Sequence, residues 1–189
     1  LTSVFAKELL PINGRPGIEY ILDECIEAGI KEVVFIISDK KKMIKDYFYK
    51  DNFYKNIIKK KKDHRILKEY KRILRYKKMI KFVYQNKPLG TGDAVLKTKK
   101  FIKGKYFLML LPDDLIIKQN CSKSMIKVHN QYKSSVMASM NVAKKTVSRW
   151  GIYKLKKRLN KKNYSIEKVI ESIGKSIDTS KNNWAPLKM

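Results

Sequence analysis

Two cysteines and two histidines are the whole supply of thiol and imidazole in 189 residues. Cys25 lies inside an apolar helical pattern and Cys121 near a helix start. That excludes a disulfide framework or a zinc cluster as the organising device and makes a reducing cytoplasm the expected compartment. His64 and His129 have no neighbouring constellation and read as surface residues. No apolar run approaches the roughly 20 residues needed to span a bilayer. The opening LTSVFAKELLP lacks a basic region followed by an apolar one, so neither a leader nor a membrane partner is expected. No Met opens the chain. Acidic residues are also scarce, 17 Asp and Glu against 44 Lys and Arg, for a net charge of +27.

Such a charge invites a nucleic-acid reading, because clustered cations neutralise phosphates and release counterions. The distribution argues against it. Lysine outnumbers arginine about six to one and is spread over almost every polar segment, whereas base and phosphate readers use the planar arginine fork. No specific nucleic-acid partner is expected. Any polyanion binding should be weak, steeply salt dependent and indifferent to sequence. With 43% hydrophobic residues the chain can bury one substantial core.

The order of patterns indicates α/β architecture. Leu9, Leu10, Pro11 and the NGRPG turn at Asn13 to Gly17 precede apolar residues at helical spacing, Ile18, Ile21, Leu22, Cys25 and Ile26, with Gly29 as a stop. Lys31 to Ile37 is a continuous β-branched strand. Ser38 or Asp39 can cap a further helix to about Tyr47. Between Asp51 and Lys78, the residues Phe53, Ile57, Ile58, Ile66, Leu67, Tyr70, Ile73 and Leu74 fit one or two amphipathic helices. Their interleaved cations allow an RNA-binding face or a solvated excursion packed by one face, and the second is preferred. A short strand at Lys81 to Tyr84 leads into QNKPLGTGDA, whose Pro88 and two glycines free the backbone to approach a ligand, with helix-forming residues from Val95.

The stretch Lys105 to Ile116, KYFLMLLPDDLI, reads as a fully buried central strand stopped by Pro112. It places Asp113 and Asp114 at a carboxyl end, the edge where open α/β sheets bind ligands and metal ions. A solvated turn is the plainer alternative. Further on, Ser122 or Ser124 can cap a helix through about Tyr132, and Ser135 to Val142 reads as a strand. Another strand starts at Trp150 to Tyr153, where Gly151 either relieves crowding or lets a sugar lie on the backbone. A lysine-rich hairpin connection covers Lys154 to Lys162, a last strand covers Ile166 to Ile170 and ends at Glu171, and Ser172 to Met189 has no clear period.

Taken in order, AKELLPINGRPGIEYILDECIEAGIKEVVFII, QNKPLGTGDAV, LLPDDLI and WGIY resemble the blocks of bacterial UTP-glucose-1-phosphate uridylyltransferase. The first block matches that family's PKEMLP...KPLIQY...EAGI pattern over about thirty residues. The resemblance implies a Rossmann-like fold with a mixed, mostly parallel sheet flanked by helices. Residues 1–189 would form a single nucleotidyltransferase domain, incomplete at both termini, with a charged helical excursion at about 51–78. The family's GxGTRxxP loop would precede Leu1, and a second metal-binding Asp would follow Met189, so this segment alone is expected not to turn over substrate. The implied substrates are UTP and glucose 1-phosphate, the implied cofactor Mg2+, and self-association into a homo-oligomer is left open. Lys7 matches the phosphate-contacting lysine and Asp113 the metal ligand, both catalytic. Glu8, Gln85 and Gly90 match groups at the base, and Gly151 and Glu171 match groups at the hexose. Three departures accompany the match. Ala6 replaces the proline of PKE, Asp93 stands where the family has histidine, placing an extra negative charge near the phosphates, and Ser172 replaces the lysine of EKP. Thymidylyl transfer, or a non-catalytic remnant binding nucleotides or polyanions, are the alternatives.

Overall fold

The computed structural model describes residues 5–50, 52–60, 63–143, 151–170 and 184–187. The chain divides into two compact units, Leu1–Lys123 and Ser124–Met189.

In the first unit a hairpin of β1 (Pro11–Ile12) and β2 (Arg15–Pro16), joined by Asn13-Gly14, opens directly into helix α1 (Gly17–Glu27). Ile18, Ile21, Leu22 and Cys25 are buried, as their spacing predicts for one face of a helix. The helix ends as expected. Gly29 takes φ +82°, its N–H bonds to Ile26 O at 3.0 Å, and Ile30 N–H returns to Cys25 O at 2.9 Å. A Cβ at Gly29 would meet nothing within 4 Å. The Gly29→Ala substitution is therefore expected to cost only the left-handed backbone conformation, about 1 kcal/mol, read as a lowered urea midpoint with unchanged slope. A loss above about 3 kcal/mol would show a packing role instead.

Strand β3 (Val33–Ile37) pairs in parallel with β4 (Ile80–Tyr84), in a register from Val33↔Ile80 to Ile37↔Tyr84. The crossover contains a 3₁₀ turn at Asp39–Lys41 and helices α2 (Lys42–Tyr49), α3 (Asn52–Lys60) and α4 (His64–Met79). The long charged stretch is thus two helices, and α4 buries Ile73, Tyr76 and Met79. Asp63 caps it, accepting from Arg65 N–H at 2.7 Å. Phe35, Phe48, Phe82 and Tyr76 meet edge-on or tilted, with centroids 5.5–6.4 Å apart, in the centre of this core.

A polar cluster ties α4 to α1 and α2. Glu19, fully buried, accepts from Arg15 Nε at 3.0 Å, Arg72 Nε at 2.9 Å and Tyr47 OH at 2.5 Å. Asp23 accepts from Arg15 Nη2 at 2.7 Å and Tyr76 OH at 2.6 Å. Burial, then the bond to Asp23, pushes the Tyr76 phenol far above its usual range, so it serves as a neutral donor.

Several expectations are corrected. Tyr106–Leu110 belongs to none of the sheets among the described residues, and Tyr106, Phe107 and Met109 are exposed while Leu110 and Leu115 pack on the core. An apolar run states that a segment needs cover, not that a strand lies beside it. Ser135–Val142 likewise forms no strand. Neither Ser38 nor Asp39 caps the next helix with its side chain, because Asp39 bonds with Asn86. Helix α5 (Cys121–Tyr132) is capped by Asn120, whose Oδ1 accepts from Lys123 N–H at 2.7 Å. Ser122 is buried and donates to Glu24 Oε1 at 2.6 Å.

The second unit holds an antiparallel sheet of order β6 (Tyr164–Ile170), β5 (Gly151–Arg158), β7 (Trp184–Leu187). Strand β5 carries through Arg158, so the connection is shorter than the lysine pattern implied. Asn160 organises it by accepting from Lys162 and Asn163 N–H, each at 2.9 Å. Strand β7 lies in the tail read as lacking any period, paired over Gly151↔Leu187 to Lys154↔Trp184. Four residues are too few to show one.

Candidate active site

Two turns converge in the first unit. Ala6 and Leu9 are buried in the core and hold the 3₁₀ turn Lys7–Leu9 between them, with Leu9 N–H bonded to Ala6 O at 2.9 Å. Lys7 therefore points outward, half exposed, while Glu8 turns inward at 7% exposure. The second turn is Leu111–Asp114, closed by Asp114 N–H to Leu111 O at 3.1 Å. Packing of Leu110 and Leu115 on the same core brings Asp113 to the first turn. Across 106 residues of sequence, Lys7 Nζ donates to Asp113 Oδ2 at 2.8 Å. This bond is the largest cause of a raised pKa on Lys7 and a lowered one on Asp113, with burial opposing it in both cases. Both groups are charged at neutral pH.

Lys41 completes the cluster from just past the carboxyl end of β3. Its Nζ donates to Glu8 Oε1 at 2.5 Å, and its charge also acts on Asp113. Glu8 Oε2 is buried and has no partner among the described residues. A buried carboxylate oxygen left in that state is an acceptor waiting for a donor. Lys41 gave no sequence signal, since it sits in a run of three lysines.

The loop after β4 forms the neighbouring element. Gln85 N–H donates to Ile37 O at 2.8 Å, extending the parallel ladder. The Gln85 side chain then turns back on its own loop, with Nε2 at 3.0 Å from Gly90 O and 2.7 Å from Asp93 Oδ2. Gly90 adopts φ +91°, ψ 176°, a region essentially confined to glycine. Asn86 joins this loop to Asp39 in the loop after β3. Asp39, Lys41, Gln85 and Gly90 thus all follow the carboxyl ends of the two parallel strands, the binding edge of open α/β sheets. The Asp93 charge faces the Gln85 amide, with Lys97 Nζ 3.8 Å away.

The structure brings together Lys7 with Asp113, Glu8 with Lys41, and Gln85 with Gly90. Gly151 lies in β5 of the second unit, opposite Leu187, and Glu171 and Ser172 lie outside the described residues. His64 is exposed and His129 is half-buried, its Nδ1 facing Ser134 O at 2.7 Å. Among the described residues no group of three His, Cys, Asp or Glu side chains is placed to hold a metal ion. Asp113 offers something more modest, one ionised and half-exposed carboxylate. That hard oxygen donor fits a divalent cation that keeps most of its waters and is carried partly by substrate phosphates.

The model of a nucleotidyl transferase domain matches residues 1–172. The chain belongs to the nucleotidyl transferase family. Similar sequences include a UTP-glucose-1-phosphate uridylyltransferase from Mycoplasma pneumoniae, 31% identical over 98% of this chain and 64% of its own length. A relative from Methanocaldococcus jannaschii named as a putative enzyme of the same kind is 29% identical over 90% of this chain and 59% of its own. Among solved structures, a UTP-bound UGPase from Acinetobacter baumannii superposes with TM-score 0.82 at 25% identity, over 98% of this chain and 68% of that one. A UDP-glucose pyrophosphorylase complexed with UDP-glucose gives TM-score 0.77 at 25% identity, over 96% of this chain and 65% of that one. The nucleotidyl transferase fold is thereby established, and divalent-metal use is general in the family. The chain spans about six tenths of the length of the curated relatives it matches.

Proposed function

We propose that the protein transfers a uridylyl group from UTP to glucose 1-phosphate, giving UDP-glucose and pyrophosphate. The Lys7–Asp113 contact carries the proposal. It sets a cation and an ionised carboxylate side by side at the binding edge, as a reaction between two phosphates requires, and relatives named for this reaction support the substrate choice. In the reaction a phosphate oxygen of glucose 1-phosphate forms a bond to the α-phosphorus of UTP while the bond to the pyrophosphate oxygen breaks. Lys7 neutralises charge on the phosphoryl oxygens. Asp113 would hold Mg2+, which would supply Lewis-acid charge stabilisation to the triphosphate. Glu8, Gln85 and Gly90 serve the base, and Gly151 and Glu171 serve the hexose. Residues 1–189 act as one nucleotidyl transferase region. Cys25 and Cys121 are free thiols, as residence in a reducing cytoplasm would leave them, and burial pushes Cys25 up to about 11, which makes it a poor nucleophile. No described helix is long and apolar enough to cross a membrane.

The test is an assay of the protein encoded by the complete reading frame with UTP, glucose 1-phosphate and Mg2+. UDP-glucose and pyrophosphate are expected in equal amounts. Preference for dTTP over UTP by more than about tenfold, 1.4 kcal/mol, would move the assignment to thymidylyl transfer. Absence of product with every nucleoside triphosphate would leave a binding remnant.

A further inference from the structure

Gln85 is held in one orientation by the chemistry of its partners. Its Nε2 carries two hydrogens, and the two acceptors in reach are Gly90 O at 3.0 Å and Asp93 Oδ2 at 2.7 Å. A carbonyl and a carboxylate can only accept, so the flipped amide would set Oε1 against two acceptors. Both donors are thereby committed. Oε1, an acceptor, is the one polar side-chain atom of Gln85 with no partner among the described residues.

The geometry points to Asp93 as a positioning residue that fixes Gln85 as a pure acceptor, selecting a nucleobase whose ring nitrogen bears hydrogen, as in uracil, over one whose ring nitrogen accepts, as in cytosine. This inference rests on the proposed reading that Gln85 lies at the base. Asp93 matters more than Gly90 here. Gly90 O is neutral and also accepts from Ala94 N–H at 3.2 Å, whereas the Asp93 bond is charge-assisted. Lys97, 3.8 Å from the same carboxylate oxygen, supports the charge without competing at hydrogen-bond distance. Without Asp93 the amide can rotate about its last torsion with the loss of one neutral bond, and a side chain that presents either edge accepts either base.

The experiment measures dissociation constants of UTP, CTP and N3-methyl-UTP for the complete protein and its Asp93→Ala and Asp93→Asn variants, with circular dichroism confirming folding. The wild type is expected to prefer UTP over both analogues by at least about tenfold, the scale of one hydrogen bond to a group left unsatisfied. Asp93→Ala should bring the UTP to CTP ratio within about threefold. Asp93→Asn should fall between, because its amide oxygen can still accept but without charge. A UTP to CTP ratio unchanged in the variants, or equal binding of UTP and N3-methyl-UTP by the wild type, overturns the assignment while leaving nucleotide binding intact. Failure of the wild type to bind UTP at all overturns the underlying reading as well. Should Asp93→Ala not fold, the Asp93→Asn ratio and the methylated nucleotide still decide, since neither depends on that variant.

Discussion

Asp113→Asn is expected to reduce Mg2+-dependent pyrophosphate release from UTP and glucose 1-phosphate at least a hundredfold, about 2.7 kcal/mol of transition-state stabilisation. The substitution keeps the shape of the side chain and removes the charge that would hold the cation, so folding should be unchanged. A loss smaller than tenfold would take the metal-binding role away from Asp113. The same pair makes a pH prediction. Because the bond from Lys7 is the largest cause lowering the Asp113 pKa in the protein without ligands, kcat/KM, which reports ionisations of the free enzyme, should persist below the ordinary aspartate range. The acid limb of the profile falls only as pH drops through the depressed value. Replacing Lys7 by Ala removes that cause, so the acid limb should move upward toward the ordinary range in whatever activity remains. An acid limb that stays in place would show that Asp113 does not govern it.

Glu19→Ala is expected to cost about 3 to 5 kcal/mol of stability, because removing one member of a buried ionic cluster strands its partners. Arg15, Arg72 and the Tyr47 hydroxyl all donate to the Glu19 carboxylate, which is fully buried. Arg15 keeps Asp23 as a partner after the change, but no other acceptor for Arg72 is recorded among the described residues. The check is the midpoint and slope of denaturant unfolding. Glu19→Gln, which retains an acceptor of the same shape, should recover part of the loss. A cost below about 1 kcal/mol for Glu19→Ala would mean that the cluster relaxes into water, and that apolar packing by Ile73, Tyr76 and Met79 alone holds α4 in place.

The two outcomes separate two kinds of information in the chain. The helices α1 and α4 and the strands β3 and β4 were legible because their signals are local. Apolar residues three and four apart fill one face of α1, a β-branched run lies in β3, and Gly29 stops a helix with a left-handed residue that other side chains resist. Asp113 stood out by its place after an apolar run, whereas Lys7 and Gln85 stood out only through the resemblance of their blocks to a known family. The same local reasoning over-read Lys105 to Ile116. Hydrophobicity records a demand for burial, and the choice of which backbone answers it is made elsewhere in the chain.

By itself, then, the sequence determined which segments coil, which extend and which turns offer charged side chains, because period and turn preference act over a few residues. Only the tertiary structure decided which charges meet. Lys7 finds Asp113 across 106 residues, Arg72 finds Glu19 across 53, and Lys41 finds Glu8 across 33. Asp93, eight residues from Gln85, turns from a phosphate-side charge into the partner of an amide. Each pairing depends on where the packed core carries the backbone, and electrostatic partnership over a few ångströms leaves no period in the sequence to read.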